Sequence, residues 1–247
     1  MEESLLESKR EDEGRKSGRK MEWAGRENHL GGIPRRIALM AVGGLAKLIT
    51  SSRNSTSVHN AETLLRLVRS RPPGVPLITV ANHMSNLDDP LMWGFHGFPI
   101  TDPKLARWLH IFPEGKICQE DAPLRRLKWG TASLIIRATV TPIVLPIAHH
   151  GFEQVMSQTP PYGRRPLLPF CNKKISIIVG EPIELDLPKM RKMAISLSHN
   201  VSLPSLGWPN TPDGLNEEAQ KHLYSAISEK IRTAMESLRT FGNDEKV

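Results

Sequence analysis

PLITVANHMSNLDDPLMWG, residues 76–94, is the stretch on which the fold turns. Leu77, Ile78 and Val80 make a short apolar run bounded by Pro76 and the polar Asn82, the pattern of a buried strand. His83 falls just past the end of that run. Residues 89–98 then read as the start of a helix, with Pro90 in its first turn, where a missing N–H costs nothing. A strand that gives way to a helix within a few residues opens a parallel α/β unit, and such sheets hold ligands at the carboxyl ends of their strands.

The same alternation continues on both sides. Upstream, residues 61–71 carry Leu64, Leu65, Leu67 and Val68 at helical spacing and are stopped by Pro72, Pro73 and Gly74. Downstream, past a loop with Pro99, Asp102 and Pro103, residues 109–113 read as a second short strand ending at Glu114. Residues 123–137 read as a helix beginning at a proline, with Leu124, Leu127, Leu134 and Ile135 on its apolar side. Residues 143–148 and 174–180 read as a third and a fourth strand. Pro146 inside the third implies a sheet edge or a bulge, which would suit the wall of an acyl slot. Proline-rich loops occupy 159–169 and 203–215, and residues 216–241 form a long helix with Leu223, Ile227, Ile231, Ala234 and Leu238 on one face. The expectation is an α/β fold, a mixed and mostly parallel sheet flanked by helices.

Residues 1–20 hold six acids and six bases with few large apolar side chains, so they are read as a disordered tail. That balance is also a poor mitochondrial transit peptide, which is acid-poor. Residues 21–58 form a segment of their own, and 59–241 the main domain. Within the former, IALMAVGGLAKLIT (37–50) is too short to span a bilayer and has Arg35 and Arg36 on one side and Lys47 and Arg53 on the other. Ile37, Leu39, Met40 and Leu45, with Arg35 and Arg36, suit a monotopic helix lying among lipid headgroups, and an ordinary buried helix fits as well.

The net charge of +7 favours anionic partners. Nucleic acid is the weaker choice, because only two Tyr and six Phe are present and no basic run is interleaved with aromatics. Cys118 and Cys171 have neither zinc-finger spacing nor a secretory signal upstream, and are read as free thiols.

Three segments carry chemistry. His83 and Asp88 are spaced so that a turn can fold the acid back onto the imidazole. A neutral imidazole takes a proton from an alcohol near neutral pH, and a carboxylate on its other nitrogen fixes the tautomer and stabilises the imidazolium. A structural His–Asp hydrogen bond at a helix start explains the same spacing. In HIFPEGK (110–116), Glu114 ends a strand, Gly115 allows close backbone approach and Lys116 offers charge to a phosphate, or the whole is a solvated turn. A metal site built from His83, Asp88, His110 and Glu114 matches no standard zinc spacing, so neither metal nor cofactor is expected.

Taken in order, NHMSNLDDP, HIFPEGK and TPIVLPIAHH resemble the glycerolipid acyltransferase family. The resemblance is closer to its tafazzin branch, with RRLKWG (125–130) added. MEWAGRENHLGGIP (21–34) resembles the plant tafazzin-like proteins, some described as N-acylphosphatidylethanolamine synthases. The likeness runs over about residues 21–240. It implies one-step acyl transfer from a phospholipid, cardiolipin included, or from acyl-CoA, to a lysophospholipid at a membrane surface. It makes His83 the base and Asp88 its orienting partner, and leaves Ser85 without a nucleophilic role. Phe112, Pro113, Glu114 and Gly115 match the block near the acceptor's phosphate, and a mitochondrial membrane location is implied.

One departure stands out. The family pattern holds about two further βα segments before the FPEG block, some fifty residues by the length of such units, and with them an arginine-bearing phosphate contact. Here the chain passes at Trp108–Leu109 straight into that block. The strand–helix–strand from Leu77 to Pro113 is still long enough for a crossover. The expected cost is lost strand pairing, lower stability and weak activity, with a membrane-binding pseudoenzyme as the limiting case.

Overall fold

The computed structural model describes residues 33–94, 108–119, 123–157, 168–198 and 215–244. The charged tail and most of the two proline-rich loops lie outside these residues, as do the side chains of Arg35, Arg36 and Leu39.

Five strands form one sheet: β1 (Ser55–His59), β2 (Leu77–Ala81), β3 (Trp108–Ile111), β4 (Ile143–His150) and β5 (Lys174–Val179), in the spatial order β1-β5-β4-β2-β3. Three neighbouring pairs are parallel and only β4–β5 is antiparallel, so the sheet is mixed and mostly parallel. β3 pairs directly with β2, from Leu77 opposite Trp108 to Val80 opposite Ile111, so the HIFPEGK segment leaves the sheet beside the end of β2.

Strand alternation divides the core into two layers. On one face Ala81, Ile147, Ile175 and Ile177 pack under α1 (Ile33–Lys47), the π-helical turn Leu48–Arg53, α3 (Asp88–Gly94) and α5 (Phe152–Val155). Leu77, Leu145 and Val179 continue that face under α2 (Ala61–Ser70). On the other, Ile78, Val80 and Val144 are covered by α4 (Gly130–Arg137), α6 (Leu187–Ser198) and α7 (Glu217–Asp244). α7 buries Ala219, Leu223, Ile227, Ile231 and Met235, one residue per turn, and Asn216 caps it by accepting the Ala219 N–H.

Several expectations are corrected. Residues 123–129 are not helical; the helix begins at Gly130 and buries Thr131, Ala132, Ile135 and Ile136, while Leu134 is exposed. Tertiary partners take the backbone groups a helix would have used: Leu124 N–H bonds the Glu236 carboxylate and Lys128 N–H the Pro113 carbonyl. β4 is an interior strand rather than an edge. Pro146 is tolerated because a strand residue points its N and its C=O to the same side, and here that side lies just beyond the end of β5, where Gly180 N–H reaches the Pro146 carbonyl. β1, α5 and α6 were not foreseen.

Gly151 joins β4 to α5 at φ +96°, and a Cβ there would lie 2.1 Å from the Lys174 carbonyl oxygen. Gly151→Ala is therefore expected to cost more than about 1 kcal/mol, read as a lower urea midpoint, since both the backbone angle and a backbone atom oppose it.

Candidate active site

β2, β3 and β4 run parallel, β2 and β3 ending at nearly the same level and β4 running on to His150, and at that end the predicted pair is in contact. His83 Nδ1 lies 3.0 Å from Asp88 Oδ2. Asp88 opens α3 and is fully buried. Its Oδ2 also accepts the backbone N–H groups of Met84 (2.6 Å) and Ser85 (2.8 Å), so the loop from His83 to Asp88 folds around the carboxylate. The Ser85 hydroxyl accepts the Leu87 N–H, a structural task. Because Asp88 has accepted donors from the backbone, the His83 nitrogen facing it carries the proton, and Nε2 keeps its lone pair. The His83 side chain is 22% exposed, enough to meet a substrate.

Residues from β3 and the turn after it fix the ring. Phe112 stacks on His83 with centroids 4.2 Å apart and planes 16° from parallel. Glu114 is buried and its Oε1 accepts the His83 backbone N–H at 3.2 Å. Burial pushes the Glu114 carboxyl up, opposed by the His83 N–H and by the positive Arg239. Pro113 is buried, and Gly115, at φ +67°, closes a turn by donating its N–H to the Phe112 carbonyl. Lys116 is exposed. Thus Phe112 and Glu114 touch the imidazole residue, and Gly115 and Lys116 lie at the surface beyond them. No group of His, Cys, Asp or Glu among the described residues is arranged to hold a metal.

Four further residues, Asn82, His149, Thr79 and His110, belong to the cluster. Asn82 and His149 bond reciprocally across β2 and β4: the Asn82 amide donates to the His149 carbonyl, and His149 N–H donates to Asn82 Oδ1, each at 2.9 Å. The fully buried His149 ring places Nε2 2.6 Å from the Asn82 carbonyl and 3.6 Å from Asp88 Oδ2. Two acceptors fix the proton on Nε2, and burial holds this ring neutral against the pull of Asp88. Next door, Thr79 Oγ1 accepts the Trp108 indole N–H and meets His110 Nδ1 at 2.8 Å. His110 lies edge-on to Trp93 and Phe112, and although part of the residue reaches solvent, its Nε2 is buried. Burial, reinforced by His149 and His83, lowers its pKa to about 3. Of these residues the sequence pattern offered only His110, as a member of the alternative metal site; Asn82, His149 and Thr79 carried no assigned role, although Asn82 and His149 stand inside the quoted segments.

These buried histidines make acid destabilising. In the unfolded chain they titrate near 6.5, so below that pH the unfolded state binds protons that the folded state refuses. For His110, stability is lost as pH falls from 6.5 towards 3; His149 acts in the same direction, and Glu114, whose carboxyl burial pushes up, acts in the opposite one. Between pH 7.5 and 5.5 His110 alone is expected to remove about 1 kcal/mol, and His149 adds to the loss in the same direction. Urea midpoints at the two pH values check this; a midpoint that holds or rises at pH 5.5 contradicts the neutral assignment.

No family model matches the chain. It is 47% identical over 277 positions to an N-acylphosphatidylethanolamine synthase of Arabidopsis thaliana, covering 90% of this chain and 98% of that protein. It is 27% identical to a tafazzin of Drosophila melanogaster over 61% of this chain and 52% of the relative. It is 29% identical to the taffazin of Dictyostelium discoideum over 59% and 68%. Ninety per cent of 247 residues is about 222, so roughly 55 of the 277 positions aligned with the plant protein have no residue in this chain. Among solved structures, the 1-acyl-sn-glycerophosphate acyltransferase PlsC of Thermotoga maritima is similar with a TM-score of 0.41 and 18% identity, covering 81% of each chain.

Proposed function

The chain belongs to the family of tafazzin-like acyltransferases, and on that premise we propose that it moves a fatty acyl group onto a phospholipid or lysophospholipid acceptor at a membrane surface, with His83 as base and Asp88 as its orienting acid. The observation that carries the proposal is the His83–Asp88 contact at the carboxyl end of β2. In one step, Nε2 of His83 takes the acceptor's hydroxyl proton as its oxygen attacks the donor's acyl carbonyl carbon. The donor's carbon–oxygen or carbon–sulfur bond then breaks, and the imidazolium returns the proton to the leaving oxygen or sulfur. No acyl-enzyme is needed, in keeping with the structural role of Ser85.

The name of the 47% identical relative favours a second acceptor, the amine of phosphatidylethanolamine. The same base serves there by removing a proton from the attacking nitrogen. Purified protein given acyl-labelled phosphatidylcholine, lysophosphatidylcholine and phosphatidylethanolamine, with and without acyl-CoA, decides between them. Mild alkali releases label from a new ester and spares a new amide. No labelled product from any combination would sink the proposal.

Membrane docking is assigned to α1, which exposes Ile37, Met40 and Leu45 together with Val42 and, just past it, Leu48. No helix among the described residues is long and apolar enough to cross a membrane; the exposed apolar side chains of α1 support docking along the surface. The roughly 55 unmatched positions, placed by the motif order near Trp108–Leu109, favour a slower enzyme than the longer relative, and reinserting that segment would raise turnover.

A further inference from the structure

Beside the proposed catalytic pair, the same end of the sheet holds a second polar site. β4 ends at His150, paired with Ser176, and β5 begins at Lys174, paired with Ser55 of β1; the β1–β5 corner therefore faces the same way as His83. An open groove of about 860 Å³ lies there, between the π turn and Asn172–Lys174. Arg53, Lys173 and Lys174 line it with the hydroxyl residues Ser51, Ser52 and Ser55. None of its lining residues is a carboxylate, and no ion pair to these three cations occurs among the described residues.

The groove is built rather than incidental. The two strips of chain are pinned by Asn172 N–H to the Arg53 carbonyl (2.7 Å), Ser55 N–H to the Lys173 carbonyl (2.9 Å) and Lys173 N–H to Asn54 Oδ1 (2.8 Å). Asn54 is itself buried and donates to the Ile49 carbonyl. Asn172 turns the chain at φ +58°. Three cations thus line one groove on a braced backbone, Lys173 with its Nζ 6.0 Å from the Phe170 ring centroid, and an anion in the groove would meet positive charge without a competing carboxylate. Both strips that form the groove are preceded in the chain by exposed apolar side chains, Leu45 and Leu48 before Arg53 and Leu168 and Phe170 before Asn172. A soluble anion gains nothing from those side chains, whereas a phosphate at the top of acyl chains does.

We propose that this groove binds the headgroup phosphate of an anionic phospholipid within the bilayer, apart from the reacting lipids. The proposal rests on the membrane-surface reading above. α1 and the π turn both pack on α3, whose first residue is Asp88, so a lipid held in the groove orients the sheet end with His83 towards the bilayer.

The test uses the full chain and sedimentation with vesicles of phosphatidylcholine alone or of equimolar phosphatidylcholine and phosphatidylserine. The variant Arg53→Gln/Lys173→Gln/Lys174→Gln is expected to lose about a hundredfold in affinity for the anionic vesicles, about fivefold per cation. It should bind zwitterionic vesicles as wild type does and keep acyl transfer in detergent micelles. A control of equal charge, Arg66→Gln/Lys189→Gln/Lys192→Gln, should lose less than tenfold. Equal losses in the two variants, or no loss in the first, overturn the groove while leaving membrane docking intact. Saturation by inorganic phosphate at matched ionic strength, with no preference for anionic vesicles, makes it a free-anion site and also overturns it. Met40→Glu/Leu45→Glu tests the underlying reading: it should weaken binding to both vesicle types. A wild-type chain that binds neither overturns both.

Discussion

Replacing His83 with alanine is expected to lower acyl transfer by about 10²–10⁴-fold, the range a positioned general base supplies. The fold should survive, because the residue's structural contacts are mostly backbone ones. Its N–H goes to Glu114 and its carbonyl accepts the Cys118 N–H, and both persist in alanine. What disappears is the ring, and with it the face stacked on Phe112 and the hydrogen bond that Asp88 accepts. The rate loss should therefore fall mainly on kcat rather than on acceptor binding. His83→Gln separates charge chemistry from shape: it fills part of the same space and can still donate to Asp88, yet it cannot take a proton. Glutamine should be as inactive as alanine. A variant retaining more than a tenth of wild-type turnover would remove His83 from the mechanism.

The neighbours of that imidazole explain which parts of the molecule the linear order could disclose. His83 and Asp88 are five positions apart and meet through one turn, so their pairing is written in a local motif. The fully buried run of β2, the apolar run that ends β5 and the four-residue repeat of α7 are equally local, because an apolar run or a helical stripe needs no knowledge of its partner. β1 escaped for the opposite reason. STSVH has one large apolar side chain, and as an edge strand it buries little; its strand geometry comes from pairing with β5, more than a hundred residues away. Residues 123–129 misled because a helical apolar pattern was met by partners on other elements, Glu236 from α7 and Pro113 from the turn after β3. The same distance problem hid the inner half of the site. The Asn82–His149 exchange joins two strands 67 positions apart, and nothing near either residue announces it.

Asp88→Asn is expected to be about as damaging as removing the histidine, at up to about 10⁴-fold in kcat, by a different physical route. Asp88 Oδ2 is the single acceptor for three donors: His83 Nδ1, Met84 N–H and Ser85 N–H. If the asparagine oxygen takes that place, the loop and the His83 orientation persist, but no negative charge remains to stabilise the imidazolium as the proton arrives. If the amide nitrogen takes it, the amide meets two backbone donors, and His83 must turn its Nδ1 lone pair towards it, leaving the proton on Nε2, the wrong tautomer for a base. Either orientation impairs the same step. There is also a stability cost, since Oδ1 is buried with no hydrogen-bond partner among the described residues, and in the first orientation an NH₂ group would sit there unsatisfied. That penalty is about 1–3 kcal/mol, enough to lower the urea midpoint without unfolding the chain at room temperature. His149 sharpens the distinction: its Nε2, 3.6 Å from Asp88 Oδ2, bonds the Asn82 carbonyl and stays neutral, so it offers no substitute charge. Folded Asp88→Asn protein that turns over within tenfold of wild type would show that the carboxylate only shapes the loop, and that His83 acts without it.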